Sequence, residues 1–418
     1  MEKMKQFFAI DEHQSTVKRE ILAGFTTFIS MVYILFVNPS VLGASGMNTG
    51  AVFTATALAS AIGCFLMGMY AKYPIATAPA LGINAFFSYS VVIGMGVSWQ
   101  TALAGVFVAS LIFMLITVFK LRELIIDAIP RDLKLAISAG IGMFVAFIGL
   151  HGGGLIVANK STVVGLGDFT QGTTWLTVFG LIVTIIRKVP GAIFIGMILT
   201  SILGIVTGLI QLPAHLVAAV PSLKPTFLAG LHHVGDINTV QMWVVVLTFL
   251  LVTFFDTAGT LVGLAEQAGF MKNNKMPRVG KALMSDSSAM LAGSLLGTSP
   301  VGAFVESSAG IAVGGRTGLS AVVTGILFIF SLFFSPLLTV VTSQVTAPAL
   351  VIVGVLMAQS LKKIDWEKLE IAVPAFLIVL GMPLTYSISD GIALGFITYP
   401  ITMITAGRRK EIHPIMYV

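Results

Sequence analysis

Two carboxylate residues lie inside apolar parts of the sequence, where they could bind a ligand or a proton. Asp256 lies within the run LLVTFFDTAG at residues 250–259, and Glu306 follows Pro300 by six positions. A charged side chain at membrane depth costs at least about 2.5–3.5 kcal/mol, so such a residue is a functional candidate. The predicted apolar segments contain no Lys or Arg that could pair with either carboxylate. Because an unpaired buried carboxylate can take up a proton, both residues are candidates for ligand binding and for proton binding.

A short pattern that occurs twice adds Asn84 to these candidates. The stretches ATAPALGIN at residues 76–84 and GTSPVGAFVE at residues 297–306 share Thr, a small residue, Pro and Gly, followed by a polar side chain. Proline and glycine disfavour a regular helix, so we expect a short extended segment before a half-helix in each stretch. At membrane depth such backbone is tolerated beside a cavity, and the half-helix N-termini direct N–H groups into it. The alternative is that these residues only let helices pack closely.

Together, Asp256, Glu306 and Asn84 would form a small site that is rich in hydrogen-bond acceptors. Such a site suits a flat ligand with several N–H donors better than an anion, which two carboxylates would repel.

Other roles of these residues stay open, because Asn84 could form a hydrogen bond with neighbouring backbone and Asp256 could cap a helix or bind Na⁺. We expect Asp286 and Asp390 to lie near helix ends, with adjacent serines as local partners.

The overall composition indicates that membrane-spanning helices carry these residues. Hydrophobic residues make up 56% of the 418 residues, charged residues make up 10%, and the mean hydropathy is +0.98. Soluble domains have about 25% charged residues, so a soluble enzyme, a disordered chain and a fibrous repeat are excluded. The fold class is therefore an all-α polytopic membrane protein. The single cysteine, Cys64, excludes a disulfide within these residues and a cysteine metal cluster.

The apolar segments predict about fourteen spans, which begin near residues 21, 50, 80, 100, 134, 173, 191, 241, 281, 301, 318, 335, 370 and 389. With this count, 22 of the 24 Lys and Arg residues fall on one side of the membrane. The positive-inside rule then places both termini in the cytoplasm. The two motif prolines are 221 positions apart, so we expect a repeat at residues 1–211, a loop at 212–240 and a second repeat at 241–418. Seven spans per repeat force opposite orientations, which is typical of secondary transporters.

Enzyme motifs are absent or misplaced. GLGD at residues 165–168 matches a pattern of intramembrane aspartyl proteases, but it lies in a predicted loop and has no Tyr-Asp partner motif. HGGG at residues 151–154 resembles an esterase oxyanion loop, but there is no nucleophile elbow. P-loop, Rossmann and zinc-protease motifs do not occur. We therefore expect no enzymatic activity, no cofactor and no metal site, and transport would depend on an ion gradient.

Several longer stretches resemble the AzgA-like guanine/hypoxanthine purine permeases. The stretches are FDTAGTLVG at residues 255–263, LGTSP through VESSAG at residues 296–310, and GGRTGL at residues 314–319. The opening ILAGFTTF at residues 21–28, through VNP at residues 37–39, is similar as well. The resemblance therefore covers nearly the whole chain.

This resemblance implies the fold of the uracil/xanthine permease superfamily of nucleobase:cation symporters. In that fold, spans 1–4 and 8–11 form a core domain and spans 5–7 and 12–14 form a gate domain, and the family is generally proton-coupled and often dimeric. By matching motifs, Asp256 and Glu306 correspond to the two substrate-binding carboxylates of the family. Asn84 corresponds to a span-three contact, and Val305 to a backbone N–H donor. Thr260 stands where some relatives carry a histidine.

The expected function is a secondary active transporter in the cell membrane. It would import hypoxanthine and guanine, with adenine as a further candidate, by proton symport and alternating access. Glu306 and Asp256 would accept hydrogen bonds from ring N–H groups and carry the coupled proton, and Phe28 or Phe87 would stack on the base. The preferred purine, the choice between proton and sodium, and the oligomeric state stay open. The alternatives are an anion transporter of the sulfate/bicarbonate type on the same fold, and a channel.

Overall fold

The computed structural model describes residues 2–119, 129–186, 191–213, 215–271, 276–413 and 416, and most of these residues are helical. The α-helices are α1 Glu2–Phe7, α2 Val17–Met31, α3 Ile34–Gly43, α4 Thr49–Phe65, α5 Leu81–Ala85, α6 Trp99–Val118, α7 Arg131–Gly152, α8 Gly172–Ile186, α9 Ala192–Val206, α10 Ala229–His232, α11 Val240–Gln267, α12 Val279–Leu296, α13 Ser307–Ala312, α14 Gly318–Ser331, α15 Ser343–Ala358, α16 Leu369–Thr385 and α17 Ile388–Thr405. Strands are β1 Thr77–Pro79, β2 Ile156–Asn159, β3 Val163–Leu166 and β4 Val301–Ala303. Four helices continue in a different helical geometry: π-helical segments Leu66–Ala71 after α4 and Phe86–Gly94 after α5, and 3₁₀ segments Leu332–Thr339 after α14 and Gln359–Lys363 after α15.

The two proline motifs form extended segments that pair with each other. Strand β1 runs antiparallel to β4, with Thr77 opposite Ala303 and Pro79 opposite Val301. All residues of both strands are buried. The half-helix α5 follows β1, and α13 follows β4. The predicted extended segments before half-helices are therefore confirmed.

Eight helical segments in the described part of the chain are long and apolar enough to cross a membrane. These segments are Val17–Gly43, Thr49–Ala71, Trp99–Val118, Arg131–Gly152, Val240–Gln267, Gly318–Thr339, Ser343–Lys363 and Ile388–Thr405. Shorter apolar helices are Leu81–Gly94, Gly172–Ile185, Ala192–Val206 and Leu369–Thr385. The predicted class, a helical protein with several membrane-spanning segments, is confirmed.

Two details differ from the sequence prediction. A span was expected to begin near residue 335, but 3₁₀ turns continue from α14 through Leu332–Thr339, and α15 begins at Ser343. Pro336 lies in these turns and lacks the N–H that a continuous α-helix requires.

A second break, at Val32 and Tyr33 between α2 and α3, itself contains no proline or glycine, and Pro39 lies further along, inside α3. Six of the basic residues that predicted the orientation lie outside the described residues: Lys120, Arg122, Arg187, Lys188, Lys272 and Lys275.

The helices pack in two groups. In the first group, α12 packs on α4 and α6, α14 packs on α2 and α4, and α11 packs on α6. In the second group, α7 packs on α15 and α16, α16 packs on α17, and α8 packs on α9 and α15. The half-helix α5 contacts α7 across the boundary between the groups. The approach is close, since a Cβ atom on Gly82 would lie only 2.2 Å from Cγ2 of Ile141.

Candidate substrate-binding site

A cavity of about 80 Å³ lies beside the ends of β1 and β4, and we call it the central cavity. Its lining comes from both helix groups. The first group contributes Tyr33, Asp256, Thr260, Phe304, Val305 and Glu306. From the second group, Ile141 on α7 and Val353 and Met357 on α15 complete the wall. The cavity is therefore formed where the two groups meet.

Glu306 enters this cavity because β4 ends three residues before it and α13 begins directly after it. The hydroxyl group of Tyr33 donates a hydrogen bond of 2.5 Å to Oε1 of Glu306. Tyr33 is fully buried at the break between α2 and α3. Sequence analysis identified Glu306 but missed Tyr33. The available signal was a tyrosine within an apolar span, since tyrosine is more usual at the membrane interface.

Asp256 lies near the middle of α11 and lines the central cavity. Its side chain is half-buried, and its carboxylate accepts no hydrogen bond from the described residues. Thr260 lies one helical turn further along α11 and also lines the cavity. The structure thus brings Asp256 and Glu306 to the same cavity. Asp256 offers free acceptor positions, whereas one oxygen of Glu306 is already bonded to Tyr33.

Asp286 is a third buried carboxylate in this region, and its predicted place near a helix end is wrong. It is the eighth of the eighteen residues of α12, and it is fully buried. Its Oδ2 accepts a hydrogen bond of 2.7 Å from the hydroxyl of Thr257, the neighbour of Asp256. Its Oδ1 has no partner among the described residues. The neighbouring serines predicted a local hydrogen-bond partner, whereas the partner in the structure is Thr257 on α11. Asp390, in contrast, lies in the first turn of α17 as predicted.

Asn84 is fully buried in a polar network behind the strand pair and does not line the central cavity. Its Oδ1 accepts a hydrogen bond of 2.5 Å from the hydroxyl of Ser299. The same hydroxyl lies 3.2 Å from Oδ1 of Asn38, whose amide donates to Thr56 and Thr298. The Nδ2 group of Asn84 has no partner among the described residues. This network ties α3, α4 and α5 to the residues that lead into β4.

The remaining predicted site residues fall into two sets. Val305 lines the central cavity, its side chain is 54% exposed, and its backbone N–H bonds to no acceptor among the described residues. Phe28 packs edge-to-face on Phe328 at 5.3 Å between ring centroids, and Phe87 is fully buried beside Phe249. Neither Phe28 nor Phe87 lines the cavity. Its aromatic lining residues are Tyr33 and Phe304, which sequence analysis did not single out.

A larger cavity of about 560 Å³ adjoins the central cavity, and we call it the vestibule. The two cavities share Val252, Asp256 and Thr260 on α11 and Ile141 on α7. At its other end the vestibule is lined by Arg131, Lys134 and Lys363. A ligand could therefore move between Asp256 and the basic end without crossing a packed layer of helices.

Comparison with known proteins agrees with this architecture. The model of the Xan_ur_permease family, described as a permease family, matches residues 18–394. The guanine/hypoxanthine permease PbuG of Bacillus subtilis is 57% identical over 99% of this chain and 97% of its own length. The adenine permease AdeP of Escherichia coli is 41% identical over 99% of this chain and 94% of its own.

Among solved structures, the transmembrane domain of the cyanobacterial bicarbonate transporter BicA superposes with a TM-score of 0.64. The match covers 93% of this chain and 97% of that domain at 16% sequence identity, so it shows a shared fold. The family match and the identity to PbuG extend over nearly all of the chain. The expectation that the chain is no enzyme is confirmed by its relatives, and the chain belongs to the Xan_ur_permease family of membrane permeases.

Proposed function

We propose that the protein is a secondary active transporter that imports purine nucleobases, with hypoxanthine and guanine as its main substrates and adenine as a further candidate. The observation that carries this proposal is the pair of carboxylates, Asp256 and Glu306, that line one cavity beside two paired, interrupted helices. Interrupted helices in repeated positions mark the binding site of many transporters. The names of the relatives, which are guanine/hypoxanthine and adenine permeases, support purines as the substrate class.

In this proposal the base lies between β4 and α11. Asp256 and Glu306 accept hydrogen bonds from ring N–H groups, and the N–H of Val305 donates to a carbonyl oxygen or ring nitrogen. Tyr33 and Phe304 are better placed for contact with the ring than Phe28 or Phe87, because they line the cavity. Stacking by Phe28 or Phe87 therefore stays a prediction without support from this conformation. For Asn84 we propose a positioning role through Ser299, because that hydrogen bond holds the approach to β4.

We further propose two inverted seven-span repeats, fourteen spans in all, that assemble into core and gate domains. The packing of the helices in two groups supports this division, and the antiparallel pairing of β1 with β4 agrees with two repeats of opposite orientation. Alternating access would then be a movement of α7 and α15 against the strand pair. The excess of basic residues on one predicted side supports cytoplasmic termini and a cell-membrane location. A homodimer stays a prediction.

Proton symport is proposed because Asp256 and Glu306 have no basic side chain bonded to them among the described residues. A proton that binds with the substrate would neutralise one carboxylate before the site is closed off from water. This reduces the cost of carrying charge through an apolar environment. The sulfate/bicarbonate alternative shares the fold but has to place an anion beside two carboxylates, and the similarity to BicA at 16% identity concerns the fold alone.

The test is uptake of radiolabelled hypoxanthine by proteoliposomes with and without an inward proton gradient, with guanine, adenine, uracil, sulfate and bicarbonate as competitors. We expect gradient-driven uptake that guanine inhibits and sulfate does not. The Glu306→Gln variant should lose gradient-driven accumulation, because its amide cannot carry the proton. The matched control is Glu266→Gln, which removes an exposed carboxylate from the end of α11. Normal accumulation by Glu306→Gln would remove Glu306 from the coupling mechanism, and inhibition by sulfate or bicarbonate would favour the anion transporter.

A further inference from the structure

The vestibule has two ends of opposite charge. Its inner end is formed by Asp256 and Thr260, and its outer end by Arg131, Lys134 and Lys363. On α7 the lining extends from Arg131 to Ile141, which corresponds to about 15 Å at the helical rise of 1.5 Å per residue. A free purine base is much shorter than this span and would occupy only the inner end.

We propose that the vestibule binds a purine nucleoside monophosphate, which enters from the basic end and blocks transport of the free base. The base lies at Asp256 and Thr260, the ribose crosses the middle of the vestibule, and the phosphate lies among the basic side chains. This inference rests on the proposed function, because it requires that Asp256 recognises the purine base. It goes beyond that function by giving the transporter an inhibitory site for a phosphorylated form of its substrate.

The outer end has the chemistry of a phosphate site. Arg131 and Lys363 are exposed, and they approach the vestibule from two different elements, the start of α7 and the 3₁₀ segment after α15. Arginine binds phosphate through paired N–H donors, and lysine binds it as a point charge. The N-terminus of the 22-residue helix α7 adds partial positive charge at the same place. Lys134 also lines this end, with its ammonium group 5.9 Å from the ring centroid of Phe255.

The acidic side chain that follows Arg131 in sequence is directed elsewhere. Asp132 accepts a hydrogen bond of 3.0 Å from the backbone N–H of Asp365 and lines a separate cavity with Arg408 and Glu411. Among the described residues that line the vestibule, the one carboxylate is Asp256 at the inner end, and Arg131 and Lys363 supply positive charge at the outer end. Basic residues at cytoplasmic helix ends are common in membrane proteins. The test therefore has to distinguish a specific phosphate-binding site from non-specific attraction by these basic residues.

The experiment measures binding of radiolabelled inosine monophosphate and, separately, of radiolabelled hypoxanthine to the purified full-length protein. Lys363→Gln and Arg131→Gln test the phosphate end. The matched control is Lys362→Gln, because Lys362 is also exposed and adjacent in sequence but does not line the vestibule. Inosine and inorganic phosphate serve as competitors, since each retains only one part of the nucleotide.

We expect inosine monophosphate to bind, to compete with hypoxanthine, and to be displaced only weakly by inosine or phosphate alone. Lys363→Gln and Arg131→Gln should each weaken nucleotide binding by about tenfold, as for loss of one charge-assisted hydrogen bond, and should leave hypoxanthine binding unchanged. Lys362→Gln should leave both unchanged.

Three results would overturn the inference: no binding of the nucleotide, equal binding to Lys363→Gln and Lys362→Gln, or full displacement by phosphate alone. Normal hypoxanthine transport together with any of them would leave the proposed function intact. Failure of the folded protein to bind or transport hypoxanthine would instead overturn the proposed function, whatever the nucleotide does.

Discussion

The hydrogen bond between Tyr33 and Glu306 fixes one of the two carboxylates before any substrate is present. The bond joins residues 273 positions apart, and Tyr33 is fully buried. A hydrogen bond to a charged group contributes about 1.5–3 kcal/mol. We expect Tyr33→Phe to raise the KM for hypoxanthine by about ten- to a hundredfold, because the Glu306 side chain would lose the partner that orients it. Uptake kinetics in proteoliposomes measure this effect.

The control for this variant is Tyr89→Phe, which removes a hydroxyl group that makes no hydrogen bond to the described residues. Its KM should stay close to that of the wild type. An unchanged KM in Tyr33→Phe would mean that the bond to Glu306 is given up when substrate binds.

At the residue scale, sequence reasoning found the side chains whose type is unusual for their surroundings. Asp256 and Glu306 were identified because a carboxylate in an apolar segment is energetically unfavourable, so its presence there indicates a function. Tyr33 and Asp286 were missed because their roles depend on partners in other helices, Glu306 and Thr257, and spacing along the chain does not show such contacts. The repeated Pro-Gly pattern placed the amide of Asn84 in the ligand site, whereas the fold places it in the network of Ser299 and Asn38.

The strand pair depends on close packing against α4. A Cβ atom on Gly63 would lie 2.0 Å from Oγ1 of Thr77 in β1 and 2.8 Å from Cβ of Ala289 in α12. We expect Gly63→Ala to displace β1, to lower stability by about 1–3 kcal/mol as overpacking does, and to reduce hypoxanthine uptake strongly. Thermal unfolding of the purified protein and uptake by proteoliposomes measure the two effects.

The matched control is Gly105→Ala in α6, which is also buried but has its nearest neighbouring atom 3.5 Å from the added Cβ. Both changes add the same helix propensity, so the difference between the variants reports the clash. Equal stability and uptake in the two variants would mean that β1 adjusts without consequence for the site.

At the element scale, the local pattern predicted the broken segments but not what completes them. Pro79 with Gly82, and Pro300 with Gly302, predicted extended backbone, and the structure confirms this prediction. The pairing of the two segments could not be derived, because their hydrogen bonds join residues more than 200 positions apart. The break at Val32 and Tyr33 was not predicted, because it contains no proline or glycine and Pro39 lies six residues further along, inside α3.

At the scale of the whole molecule, the division of the helices into two groups is a result of packing, which hydropathy does not encode. The sequence predicted a membrane protein with several apolar helices and proposed two repeated halves, and the resemblance to a family supplied the hypothesis of two moving parts. The structure adds where the parts touch: α5 meets α7 at Gly82 and Ile141, directly beside the central cavity. If transport requires the groups to move, a covalent link at this contact should stop it.

This contact has the geometry for such a link. A Cβ atom on Gly82 would lie 3.8 Å from Cβ of Ile141, which is the usual separation in a disulfide. We expect the double variant Gly82→Cys/Ile141→Cys, with Cys64→Ala to remove the single native thiol, to transport hypoxanthine when reduced and to stop when oxidised. Reduction should restore uptake, and mass spectrometry of the intact protein would measure the extent of cross-linking. Because the link would lie in the wall of the central cavity, hypoxanthine binding is measured in both states, so that a loss of transport can be separated from a loss of binding. Full uptake by a fully cross-linked protein would mean that α5 and α7 move together, and the moving boundary would then have to lie elsewhere.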